Sequence, residues 1–586
     1  MATLSALPTA RELPALLTAP RSRGRRDIRT WTIAAAVLAV AVAIRIWNLG
    51  AIMATSDQVA IAWAVQHNYG IKWFFAHDYG PVLPILQRTW AELLSRLHLP
   101  IDEAALRIPI AAASVLQILF TFGLVRRLGG GRSEAILAAA VCSVIPTLVS
   151  DAHYAWGYNT VWLLTGTVSL WAILTYLDED RPYWLFLGGT ALLLHCLSNC
   201  FAFALPVALM YVWWDRRRTR QHASSSPATP RHRAASLPLG RSFGFGFIIP
   251  CVLALAVIYM SWRWTGGGQL GRLLHKHDAG STGWRFTQFL DLPSMWVSHF
   301  GYLFALSAAA GLIWATLTPR YRVLAVWSWA AVLPLTLLVD WTRVGYPGAY
   351  MIEAAYAAGV LAAIWICAML QRLSPRPVAR LAFACAAALA LCHMGVGSAD
   401  ACLNEAQFVR WTGLKTFWGS VRPETGIKAA GYYVRAHVPP EAVVMTIHTN
   451  TGMEVSVAEY YCGRAVLADY DLRPEMLAPL VREMHAEVDV LIADAAYRDR
   501  IDTLPDFELA ATIRHDDEPV RYIYARPGLN LPHVDEQAAT FNALYDRHCR
   551  NTRVPTPLPA PPQFDERLAR YQGFLKSLRA AERPTP

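Results

Sequence analysis

Long apolar runs alternate with short polar, arginine-bearing turns along most of this chain. A run of about 20 apolar residues crosses the hydrocarbon core of a bilayer as a helix. The runs predict spans near 31–48, 106–125, 134–150, 156–176, 183–197, 200–214, 244–262, 295–316, 323–340, 350–370 and 380–397. Residues 183–214 form one apolar stretch, too long for one ordinary helix. The sequence His195-Cys196-Leu197-Ser198-Asn199 predicts a break there and two short helices.

Charge supports that split. Arg and Lys concentrate in cytoplasmic loops. With the N-terminus cytoplasmic, eleven crossings put Arg126, Arg127 and Arg132, then Arg181, then Arg216 to Arg241, then Arg320 and Arg322, then Arg372, Arg376 and Arg380 on one side. Everything after about Ser398 then lies outside the cytoplasm. The segment before Trp31 is polar and arginine-rich, and no small-residue cleavage site follows the first apolar run, so that run reads as a retained helix.

From about Pro423 the pattern changes. Residues 424–437 and Pro474–Ala486 have helical spacing; Val443–His448, Val488–Asp494, Glu508–Arg514 and Arg521–Ala525 read as strands. Strands interleaved with helices predict a small α/β layer. The expected organisation is a cytoplasmic tail (1–30), a transmembrane domain (31–398) with outer loops 49–105 and 263–294, an extracytoplasmic α/β domain (399–550) and a Pro-rich mobile tail (551–586) with a short helix near Asp565–Arg579.

Composition agrees with lipid as the solvent. Apolar residues make up 54% of the chain and charged residues 16%, with a mean hydropathy of +0.28, against about 25% charged residues in soluble chains. The net charge of +10 falls between apolar spans, which reads as topology rather than nucleic-acid binding. Seven cysteines (Cys142, Cys196, Cys200, Cys251, Cys367, Cys385, Cys392) lie in or beside apolar runs and act as small hydrophobes. Cys402, Cys462 and Cys549 could pair in an oxidising compartment.

Ionisable residues at membrane depth or at helix ends are costly and need a reason. Asp57 lies about ten residues beyond the first span, and Asp151 ends the third. Both fall at the outer face, where two carboxylates could activate a hydroxyl and hold an acceptor or metal. The simpler alternative is that Asp57 caps a surface helix and Asp151 ends a span near water. His77-Asp78-Tyr79-Gly80-Pro81 is either turn chemistry or a substrate-facing wall, and His153 lies beside Asp151. Stretches Asp57–His67 and Pro84–Leu97 fit amphipathic surface helices.

The loop 263–294 carries Arg263, Arg272, His275, Lys276, His277 and Arg285 on the outer side, against the charge rule, and so suggests an anionic partner such as a lipid phosphate or an anionic headgroup. Arg343 and Tyr346 are candidates for the same role, and Glu353 reads as an interior carboxylate paired with Arg343. Neither GxxxxGK[ST] nor a strand-linked GxGxxG occurs.

These features resemble a known family, the GT-C glycosyltransferases of the protein O-mannosyltransferase and lipid A aminoarabinose transferase type. The likeness rests on the layout, on Asp57 where the family often has Asp-Glu (Gln58 follows here), on His77 to Pro81, on Arg107-Ile108-Pro109 opening the second span, on the small residues from Gly129 to Ala140 with Pro146, and on Asp151. The resemblance implies a multi-pass protein of a bacterial-type inner membrane that moves a hexosyl or pentosyl group from a polyprenyl-phosphate donor to a glycan, lipid or protein hydroxyl. It implies Asp57 as general base, Asp151 orienting the acceptor, and Arg272, Lys276 and His275 neutralising the departing phosphate. No cofactor is required, though a divalent metal fits the chemistry. Two other classes compete: a flippase for a lipid-linked sugar, with ionisable residues buried mid-span, and a non-catalytic scaffold.

Overall fold

The computed structural model describes residues 28–47, 49, 71–76, 80–99, 103–153, 158–199, 201–224, 239–270, 290, 292–338, 351–403, 426–447, 454–467, 479–480, 483, 487–502, 506–515, 518–537 and 564–581. Each expected span falls on a helix. The helices are α1 (Ile28–Ile46), the short α2 (Ile71–Ala76) and α3 (Val82–Arg96), which are not among the expected spans, then α4 (Glu103–Arg127), α5 (Arg132–Ser143), α6 (Pro146–Ala152), α7 (Tyr158–Glu179), α8 (Pro182–Cys196), α9 (Ala204–Ser224), α10 (Gly240–Thr265), α11 (Leu292–Leu317), α12 (Arg322–Leu338), α13 (Ile352–Arg372) and α14 (Pro377–Leu403). Among the described residues six helices are long and apolar enough to cross a membrane unaided, and α5 with α6 would make a seventh. The stretch 183–214 is two helices, α8 and α9, separated at residues 197–203.

The span expected at 134–150 is broken. Helices α5 and α6 meet at a 61° bend, and Pro146 opens α6. Proline has no N–H to give the carbonyl four residues back. In lipid no water can serve the carbonyls that such a break exposes. Arg45, fully buried at the end of α1, serves them instead: its guanidinium donates to the carbonyls of Cys142 (3.2 Å) and Ser143 (3.0 Å) and to Ser114 Oγ (2.6 Å). Ser398 of α14 donates to the next carbonyl, Val144, at 2.8 Å.

Helix α3 is amphipathic, as expected for Pro84–Leu97. It buries Leu83, Gln87, Ala91 and Leu94 and lies on the start of α4, where Gln87 and Trp90 donate to the carbonyls of Leu106 (2.9 Å) and Ala105 (2.7 Å). The stretch Asp57–His67 lies outside the described residues.

The C-terminal region holds α15 (Ile427–His437), β1 (Val444–Ile447), α16 (Glu454–Cys462), β2 (Val490–Asp494), β3 (Glu508–His515), β4 (Glu518–Ala525), β5 (Val534–Gln537) and α17 (Phe564–Ala581). The strands form one mixed sheet in the order β1-β2-β4-β3-β5. β1 and β2 are parallel, as are β3 and β5; β4 is antiparallel to both its neighbours. One face packs on α15 and α16, the other on α17 through Phe564 and Tyr571. Arg570 pairs with Glu487 at 2.5 Å. Residues 564–581, expected as part of a mobile tail, are thus a packed layer of the domain, because a tail helix with two buried aromatics has apolar surface to lose to water.

Candidate functional site

One end of the helix bundle collects buried polar side chains. The first group surrounds the exit of α1. Arg107, fully buried on α4, donates from Nη1 to the carbonyl of Leu49 at 2.8 Å. The ring of His153 faces two carbonyls, Val149 at 2.9 Å through Nδ1 and Trp47 at 3.2 Å through Nε2. A neutral imidazole donates to one of these only. So Arg107 and His153 hold the backbone from which the chain runs on to Asp57, and Asp57 itself lies outside the described residues.

Asp151 sits two residues before His153, on the same wall. It is 1% exposed. Its carboxylate accepts from Asn159 Nδ2 (3.1 Å), from the backbone N–H of Thr160 (2.8 Å) and from Thr160 Oγ1 (2.5 Å). The first N–H groups of a helix lack partners within it, and here Asp151 supplies one to α7. Both oxygens are thereby engaged, which gives Asp151 a framework use: it ties α6 to the start of α7.

A second group joins two segments that are far apart in sequence. Ser261 Oγ donates to the carbonyl of Phe75 at 2.5 Å, and Gln269 Nε2 to the carbonyl of Cys196 at 3.1 Å. The rings of Phe75 and Trp264 lie 6.0 Å apart. Gly80 has φ +95°, and a Cβ there would stand 2.2 Å from the carbonyl oxygen of Leu197. Only glycine suits that backbone and that approach. Phe75 and Gly80, which flank residues 77–79, therefore meet the start of the basic stretch 263–294 at the C-terminal end of α8. Arg263 is exposed beside this junction. His77, Asp78, Tyr79, Arg272, His275, Lys276, Arg343 and Tyr346 lie outside the described residues.

Beneath the junction is a third group. His195, the penultimate residue of α8, and Glu353, the second of α13, are both fully buried. His195 Nδ1 faces the carbonyl of Trp162 (3.0 Å), and Trp162 Nε1 donates to His195 Nε2 (3.0 Å). An indole N–H only donates, so these partners fix the neutral Nδ1–H tautomer. Glu353 Oε1 lies 3.3 Å from His195 Nε2 and accepts from Trp327 Nε1 at 3.0 Å. The donor observed for Glu353 is thus Trp327, while His195 Nε2, which carries no proton in this tautomer, lies beside the carboxyl; the pairing expected with Arg343 falls outside the described residues. Sequence reasoning noticed both residues but could not join them. It missed Arg45, whose signal was an arginine within an apolar run. Among the described residues no three His, Cys, Asp or Glu side chains converge as metal ligands.

Residues 79–228 match the family model for dolichyl-phosphate-mannose-protein mannosyltransferases. The fold is similar to that of ArnT from Cupriavidus metallidurans: the apo structure gives a TM-score of 0.53 at 14% identity, covering 85% of this chain and 98% of that one. The structure of the same protein bound to undecaprenyl phosphate gives 0.52 at 14% identity, covering 87% and 100%. The apo oligosaccharyltransferase of Archaeoglobus fulgidus gives 0.49 at 14% identity, covering 86% and 75%. No curated protein matches in sequence.

Proposed function

We propose that this chain, which has the fold of the GT-C superfamily of membrane glycosyltransferases, transfers a sugar from a polyprenyl-phosphate carrier to a hydroxyl acceptor at the extracytoplasmic face. The observation that carries the reading is convergence. Two groups lie at the same end of the bundle: the exit of α1, held by Arg107 and His153, and the residues flanking 77–79, which meet Ser261 and Gln269 at the start of the basic stretch 263–294. A transfer site needs a base, an acceptor wall and a phosphate grip in that one place.

In this reading Asp57 takes the acceptor proton as the acceptor oxygen attacks the anomeric carbon. The bond from that carbon to the phosphate oxygen breaks, and polyprenyl phosphate leaves with the electron pair. Direct displacement inverts the anomeric centre. Arg272, Lys276 and His275, with Arg263 at the mouth, stabilise the charge that grows on the phosphate. His77, Asp78 and Tyr79 line the acceptor side, with Arg343 and Tyr346 as further donors toward the phosphate. The lipid carrier, the surrounding bilayer and a glycan, lipid or protein acceptor are the partners. Asp151 and His153 act on this site indirectly, by fixing the wall and the exit of α1. The buried pair His195–Glu353 lies at helix ends rather than mid-span, which favours an enzyme over a flippase.

The test is transfer of labelled sugar from polyprenyl-phosphate donors by the purified protein. Asp57→Asn lowers turnover by roughly 10²–10⁴-fold, the usual worth of a general base, with the fold intact. Full activity in that variant removes the proposal.

A further inference from the structure

The C-terminal domain grips the membrane bundle through a carboxylate. Glu103 opens α4 and is buried. Its Oε1 accepts from Lys428 Nζ at 2.9 Å and from Tyr461 Oη at 2.8 Å. Lys428 belongs to the first turn of α15, and Tyr461 to the last turn of α16. The ammonium also lies 5.7 Å from the ring centroid of Tyr461 and 5.9 Å from that of Tyr432. All these groups are out of water. A buried ion pair is costly to assemble and costlier to leave half-made, so the pair holds the domain at one place on the bundle.

That place matters because of what lies one turn further along α4. Arg107 is four residues after Glu103 and holds the carbonyl of Leu49. The chain reaches Asp57 eight residues later. The hold on the C-terminal domain and the hold on Leu49 thus sit on successive turns at the start of α4.

We propose that Glu103, Lys428 and Tyr461 are positioning residues: their contact fixes the outer end of α4, and with it the backbone that carries Asp57. The soluble domain then belongs to the frame of the site. It is fastened to that frame and does not hang beside it. This inference rests on the reading of Asp57 as the base.

The experiment uses the full chain in lipid nanodiscs. Hydrogen exchange is followed in residues 49–70 and in strands β2 and β3, and steady-state transfer is measured beside it. In Glu103→Gln and Lys428→Met, exchange in 49–70 rises by about tenfold or more, the equivalent of one lost hydrogen bond to a charged group. The strands stay protected. Turnover falls by a similar factor while the donor KM holds, and Lys428→Arg recovers most of it. A merely structural role would not split kcat from KM in this way.

Should either variant expose the strands, Tyr461→Phe carries the test, since it removes one hydrogen bond and leaves the ion pair. It predicts the same changes at smaller size. Unchanged exchange in 49–70 with the strands protected overturns the inference. The exchange arm does not depend on chemistry at Asp57. If Asp57→Asn stays active while exchange in 49–70 still rises, the base assignment fails and the positioning contact stands.

Discussion

The two ends of the helix bundle are built on different principles. At the arginine-rich end the turns are short, such as 128–131 between α4 and α5 and 180–181 between α7 and α8. Its ion pairs, Arg127 with Glu179 and Arg216 with Asp178, are partly exposed and join neighbouring helices at their tips. At the opposite end the polar groups are buried: Arg45, Glu103, Arg107, Asp151, His153, His195 and Glu353. Their partners are backbone carbonyls for Arg45, Arg107 and His153, and side-chain or backbone donors for Glu103, Asp151 and Glu353. Exposed ion pairs contribute little to stability, whereas buried polar groups survive only when each has a partner. The first end needs only to stay in water. The second is a preorganised polar frame, and it surrounds the segments that carry the proposed chemistry.

This contrast can be broken from either side. The largest effect is expected at Arg45. Arg45→Leu leaves the carbonyls of Cys142 and Ser143 without their donor in the bend between α5 and α6, at a cost of about 2–5 kcal/mol for the two orphaned groups. Thermal unfolding in detergent should show the loss, and a melting temperature equal to the parent's would mean that the break is satisfied otherwise.

Next comes Glu459, on the helix that also bears Tyr461. Burial pushes its carboxyl up to about 7 from an ordinary 4.5. The folded domain thus binds this proton more tightly than the unfolded chain does. Its contribution is complete below about pH 4.5 and is lost as pH rises through about 7, by roughly 3 kcal/mol. Denaturation of the domain at pH 5 and at pH 8 measures it. Glu459→Gln should flatten that part of the dependence.

Glu353→Gln keeps the shape and the acceptor for Trp327, so about 1–2 kcal/mol is expected from altered pairing with His195. The smallest effect belongs to the arginine-rich end, where Arg127→Ala should cost less than about 1 kcal/mol. A larger loss at Arg127 than at Arg45 would invert the comparison.

What the sequence made legible follows the same division. Periodicity put a helix under each expected apolar run among the described residues, and His195 to Asn199 marked the break between α8 and α9 correctly. Pro146 was visible too, but its consequence was not. The bend depends on Arg45, about a hundred residues earlier, and on Ser398, far later. His195 and Glu353 were each conspicuous in apolar surroundings, yet nothing in a linear chain says that they meet. Asp151 was rightly placed at a helix end, while its three donors become evident only once α7 is folded against it. In the soluble domain β5 escaped notice because Val-Asp-Glu-Gln is short, polar and at the sheet edge. Helix α16 escaped because its apolar positions are too few to set a period.

The most direct test of the central claim concerns the face on which position 57 lies. Asp57→Cys is treated in intact cells with a membrane-impermeant thiol reagent, with the unsubstituted chain as reference. The account predicts labelling from outside without permeabilisation, and protection of the same cysteine by polyprenyl phosphate. Labelling that appears only after the membrane is opened would place the residue on the arginine-rich side and contradict the account.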